Sequence, residues 1–152
     1  MLECSQTSEL TFRLTLQNTS PAPTAAVIGT TLGNDKKYLL QHVGLTVRRE
    51  GVADTLLDYF DPSVPGIAGR IDPWLITLPP DSSYSITVPA RLFALPSTYV
   101  QETFSKPANV QLHLTTRDIA DPNLDLQGLR FIHVWVGTLS SDWITVPGSC
   151  RR

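Results

Sequence analysis

An all-β domain is the fold this sequence predicts: an antiparallel immunoglobulin-like sandwich of about seven to nine strands with little helix. Three observations predict it. Short segments alternate apolar and polar residues with the period of two that places one set of side chains on a buried strand face. Turn-forming residues separate those segments at regular intervals. The twelve prolines punctuate the chain too often for a long helix, and only 17% of residues are charged, with Thr, Ser and β-branched apolar residues in their place.

The first strand is the clearest. Leu10, Phe12, Leu14 and Leu16 alternate with Thr11, Arg13, Thr15 and Gln17, and Asn18-Thr19-Ser20-Pro21-Ala22-Pro23 breaks the chain after them. Residues 24–30 form a short β-branched apolar run. Val43, Leu45 and Val47 alternate again and lead through Arg48-Arg49-Glu50-Gly51 into a hairpin partner over 52–57. Residues 59–69, with Pro62, Pro65, Gly66 and Gly69, read as a long loop. Residues 74–78 form a strand, Pro79-Pro80-Asp81-Ser82-Ser83 a strong turn, and Tyr84, Ile86 and Val88 the alternating face of the next strand. One helical turn is expected near 91–95. Val110, Leu112 and Leu114 mark a further strand and 118–128 a polar connection. The nearly continuous apolar run 129–136 predicts a central strand buried on both faces. Residues 137–142 read as a turn into a last strand over 143–146. The expected core includes Phe12, Leu14, Leu16, Leu112, Leu114 and Phe131, together with all three tryptophans, Trp74, Trp135 and Trp143. Neither repeat nor linker divides the chain, so residues 1–152 read as one domain with peripheral tails at 1–8 and 147–152.

Charge excludes one class of partner. Twelve basic and fourteen acidic residues give a net charge of -2, with no electropositive excess for nucleic acid. No apolar run reaches the roughly 20 residues of a spanning helix. The polar start Met1 to Gln6 does not read as a signal peptide, and the compartment stays open. Cys4 and Cys150 sit near the two ends. They are read either as a disulfide joining the termini, worth about 4–5 kcal/mol in the chain-entropy model, or as two unrelated thiols. Their spacing is not that of a thiolate metal site.

The stretch Phe12-Arg13-Leu14-Thr15-Leu16-Gln17-Asn18-Thr19-Ser20 resembles the opening of small bacterial Ig-like domains. It looks like the intracellular proteinase inhibitor family of bacteria and like the β-domain that precedes the catalytic domain in some deuterolysin-like metalloproteases. Leu78-Pro79-Pro80-Asp81-Ser82-Ser83-Tyr84 is similar to a later turn of such domains, with aspartate where glycine is usual. Val134 to Trp143 looks like their final hairpin. These patches cover about a quarter of the chain and imply the fold; they transfer no inhibitory residue.

The residues that carry chemistry do not assemble into a known catalytic pattern. His42, His113 and His133 form no H-E-x-x-H motif, though His113 and His133 lie on expected strands that could face each other. Asp118, Asp121 and Asp125 crowd one loop with Asn123, where hard oxygen ligands suit calcium; the spacing departs from an EF-hand, and Asp and Asn also serve as turn formers. Asp54, Asp58 and Asp61 offer the paired carboxylates of glycoside hydrolysis but no device to raise one pKa. Neither a G-x-S-x-G elbow nor a phosphate-cradling glycine loop occurs. Asn18-Thr19-Ser20 matches a glycosylation sequon, which matters only in a secreted eukaryotic protein, and otherwise reads as a turn.

The expected function is therefore a non-catalytic binding or protein-interaction module, inhibitor-like in form, with no cofactor. The expected binding surface is the proline-stiffened loop 59–70, carrying Tyr59, Phe60, Ile67 and Arg70. The competing readings are a carbohydrate- or calcium-binding accessory domain built on Trp143 and the loop 118–125, and a small hydrolase with a dispersed site.

Overall fold

Strands dominate the computed structural model, which describes residues 2–3, 10–32, 37–39, 42–60, 71–95, 104, 106–116 and 132–147. In chain order these are β1 (Leu2–Glu3), β2 (Thr11–Gln17), β3 (Thr24–Leu32), β4 (Lys37–Tyr38), β5 (Val43–Arg48), β6 (Thr55–Tyr59), β7 (Ile71–Leu78), β8 (Ser83–Pro89), β9 (Phe93–Ala94), β10 (Ala108–Thr116), β11 (His133–Trp135), β12 (Gly137–Ser140) and β13 (Ile144–Val146). The helical turn expected near residue 91 is a single 3-10 turn, Ala90–Leu92. Among the described residues no helix is long and apolar enough to cross a membrane.

The antiparallel pairing is nested. β5 and β6 form the inner hairpin, with Val47 opposite Thr55. β3 pairs with β7 outside it, and β2 with β8 outside that. Gly51 makes the hairpin turn possible by taking φ 71, a left-handed conformation that costs a side-chain-bearing residue about 1–2 kcal/mol. β10 then lays itself along β5, and β12 and β13 both pair along the other side of β10. The result is a six-stranded sheet ordered β12-β10-β5-β6-β9 with β13 as a further neighbour of β10, a three-stranded sheet β1-β2-β8, and a four-stranded sheet in which β3 joins β11, β4 and β7. The pair β11–β3 is parallel; the other pairs are antiparallel.

The alternation read from the sequence defines the inner face of the large sheet. Val43, Leu45 and Val47 of β5 are buried with Leu57 and Tyr59 of β6 and with Val110, Leu112 and Leu114 of β10. Leu10, Phe12, Leu16, Ile86 and Val88 come to the same hydrophobic cluster from the three-stranded sheet, and Ala26, Ile28, Ile76 and Leu78 from the four-stranded one. Two-layer burial of this kind is what a sandwich requires.

The ribbon β2/β8 passes into the ribbon β3/β7 at a corner made of two adjacent turns, and Asn18 pins both. Its backbone N–H donates to Ser82 O (3.0 Å), and its carbonyl accepts from the Asp81 N–H (3.0 Å). Its buried side-chain amide donates toward Ala22 O, Leu78 O and Pro79 O at 2.8, 3.0 and 3.2 Å. Its Oδ1 accepts from the Ser20 N–H and hydroxyl.

Asp81, in the second of those turns, has φ 57. The position thus favours glycine over a residue that carries a Cβ. Asp81→Gly is expected to raise stability by up to about 1 kcal/mol, since relief of the left-handed strain outweighs the added freedom of the unfolded chain. A urea midpoint lower than that of the parent would contradict the assignment.

Four sequence expectations change. Leu14 shares the face of Phe12 but is only half-buried, so it contributes less packing than its neighbours. The run expected to be a central strand contributes β11, a three-residue strand paired on one side with β3, and Val136 after it is 51% exposed. Apolar content there marks an edge rather than a centre; residues 129–131, including Phe131, lie outside the described residues. Residues 137–140 form the strand β12 rather than a turn. No tryptophan is fully buried: Trp74 is half-buried and packs against the core, Trp135 is half-buried and Trp143 is exposed. Cys4 and Cys150 also lie outside the described residues.

Candidate functional site

The outer face of the six-stranded sheet gathers polar side chains around one displayed tryptophan. Its origin is a mismatch along β10. Ser140 stands opposite His113 and Ile144 opposite Val110, so three residues, 141–143, oppose two, 111–112. One extra residue in an edge strand is a β-bulge, which bends the strand and re-aims its side chains.

Ser141 repairs the ladder across the bulge. Its N–H donates to Leu112 O (2.9 Å), and the Leu112 N–H donates to its Oγ (3.0 Å). That hydroxyl donates to Asp142 O (2.7 Å), and Gln111 Nε2 donates to Ser141 O (2.8 Å). The next residue, Trp143, keeps 38% of its surface exposed.

Arg48, at the end of β5, reaches Trp143, with its guanidinium carbon 4.0 Å from the indole centroid. Asp54, across the hairpin, holds that guanidinium in a fork: Nε to Oδ1 at 2.9 Å and Nη2 to Oδ2 at 2.7 Å. The hydrogen bond keeps the Asp54 carboxyl below its ordinary range and raises the already high Arg48 pKa. Both partners are solvent-exposed, so the pair fixes geometry more than it adds stability.

Further along the face, His113 connects three strands. Its Nε2 meets Thr46 Oγ1 at 2.6 Å and its Nδ1 meets Ser140 Oγ at 2.9 Å. Burial pushes the imidazole below its usual pKa, which favours the neutral ring between two hydroxyls. Gly44 stands opposite His113, and a Cβ there would make ordinary contact with Leu57 O at 3.5 Å and with the Asp58 carboxylate and His113 Cβ at 3.9 Å. Leu56, opposite Thr46, is 56% exposed. Thr115 with Thr138, and Asn109 with Thr145, complete the rows.

The sequence-derived site residues separate. Tyr59 ends β6 with its ring in the core, edge-on to Phe93 at 6.1 Å between centroids, so its surface is not offered to a partner. Phe60 is half-buried and donates its N–H to Leu92 O at 2.6 Å. Ile67 and Arg70 lie outside the described residues, as do Asp61 and the proposed calcium ligands Asp118, Asp121 and Asp125. Asp54 is held by the guanidinium of Arg48, and Asp58 stands opposite Gly44 on β6.

The histidines also part. His42 is buried, with Nδ1 2.9 Å from Thr115 O. His113 lies on the large sheet, and His133 lies on β11 of the four-stranded one, so the two do not face each other. The Arg48–Asp54–Trp143 group was missed because Trp143 is 95 residues from Arg48 in the chain, and only the bulge register brings them together.

No protein-family model matches the chain, and neither a curated protein nor a solved structure does so.

Proposed function

We propose that this chain is a non-catalytic interaction module that engages a protein partner through the outer face of its six-stranded sheet. The observation that carries the reading is Trp143, displayed by the bulge and held against a forked Arg48 beside exposed Leu56. Trp and Arg are the residue types that most often dominate protein interfaces, and here both are held in place before any partner arrives, which lowers the ordering cost of association. An inhibitor-like role, the one implied by the resemblance of 12–20 to bacterial proteinase inhibitors, is one form such a module takes.

The face replaces the 59–70 loop as the proposed contact surface because Tyr59 belongs to the core. Trp143→Ala combined with Leu56→Ser is expected to weaken partner capture roughly tenfold or more while leaving the melting temperature within a few degrees. Affinity capture from cells of the source, run in parallel with parent and variant protein, reads the first effect and thermal unfolding the second. Unchanged capture would remove this face from the proposal. Retardation of the parent, but not the variant, in native gels containing soluble polysaccharide would favour the carbohydrate-binding reading instead.

A further inference from the structure

The triplet Asn18-Thr19-Ser20 has the form of an N-glycosylation acceptor, yet its amide nitrogen is occupied by the fold. The two hydrogens of Asn18 Nδ2 are shared among three carbonyl oxygens, Ala22 O, Leu78 O and Pro79 O, at 2.8, 3.0 and 3.2 Å. The residue is 6% exposed. Its Oδ1 is held by the Ser20 N–H and hydroxyl, which fixes the amide plane and prevents it from rotating outward.

Transfer of a glycan from a lipid-linked diphosphate oligosaccharide would form a bond from Nδ2 to the anomeric carbon of the first sugar. The lipid diphosphate would leave with the electron pair of its broken C–O bond, and Nδ2 would lose one proton. The sugar would then have to occupy space that now belongs to the carbonyls of both turns.

We propose that the native corner and a glycan on Asn18 are mutually exclusive. Asn18 is a modification site of the unfolded chain alone, and its modification blocks the closure of β2–β3 against β7–β8. Wherever a transferase and its lipid donor meet this chain, glycosylation and folding compete for one nitrogen atom.

The test uses the folded chain of residues 1–152 and a synthetic peptide covering residues 12–26, each incubated with purified oligosaccharyltransferase and a lipid-linked diphosphate oligosaccharide. The peptide should be modified, and the folded chain at least about a hundredfold more slowly, because reaction proceeds only through the opened form. Leu14→Ala, which weakens packing without touching the triplet, should speed modification of the full chain. An unmodified peptide would overturn the acceptor assignment. Modification of the folded chain at the rate of the peptide, or a 152-residue chain glycosylated on Asn18 that melts like the parent, would overturn the exclusion.

Discussion

Phe12→Ala is expected to destabilise the protein by about 3–5 kcal/mol, the range for removing a fully buried aromatic ring. Phe12 is 2% exposed, and its ring makes edge-to-face contacts with Phe93 and Phe104, each at 5.9 Å between centroids. Phe93 and Phe104 lie far along the chain from Phe12, so the gap left by its ring is not refilled by a shift of its sequence neighbours. Urea unfolding should show the midpoint fall with little change in slope. Phe12→Leu should retain more than half of the lost stability, because much of the apolar volume stays. A loss below about 1 kcal/mol for the alanine variant would mean that the rings do not pack as described.

Asn18→Ala is expected to cost on the order of 3–4 kcal/mol although it removes only a small polar side chain. The substitution removes the buried donor to Leu78 O and the acceptor of the Ser20 N–H, while Pro79 O keeps the Ser82 N–H and hydroxyl. Asn18→Asp should be at least as damaging, since a carboxylate donates no proton to those carbonyls. The comparison distinguishes hydrogen bonding from volume: Asp matches Asn in shape, so near-parent stability in Asn18→Asp would show that the amide donors contribute little. Thermal unfolding of both variants decides it.

Period-two alternation was legible wherever one strand face meets the core and the other meets water. Phe12, Leu16, Val43, Leu45, Val47, Leu112 and Leu114 are buried as their spacing predicts. The signal failed where an apolar run has no alternation. Val134-Trp135-Val136 looks like a buried central strand, yet it lies at a sheet edge with its side chains half-buried or exposed. Local sequence also cannot reveal a bulge. Ser140-Ser141-Asp142 has turn chemistry, and its true role depends on the register against β10, set by residues about 30 positions away. The same blindness hid the outer-face group, whose members come from β5, the hairpin turn and the bulge. Asn18 was read correctly as a turn residue, but its hold on a second turn 60 residues later is a tertiary fact.

The prolines, first read as punctuation between strands, acquire another consequence from the sheet order. Among the described residues β7 and β8 each pair on one side only, and each contains a proline, Pro73 and Pro89. Because the Ala90 N–H donates inward to Leu10 O, the alternation of the strand turns the nitrogen of Pro89 away from β2, toward whatever approaches the open side. The third long border, β12 to β13, is interrupted by the bulge and followed by Pro147. Another chain arriving in extended form would find no uninterrupted row of donors and acceptors to copy along β8 or along that bulged border. A sequence this rich in β-formers and this poor in charge would otherwise be at risk of growing into fibrils strand by strand, and these interruptions oppose that growth at its starting points.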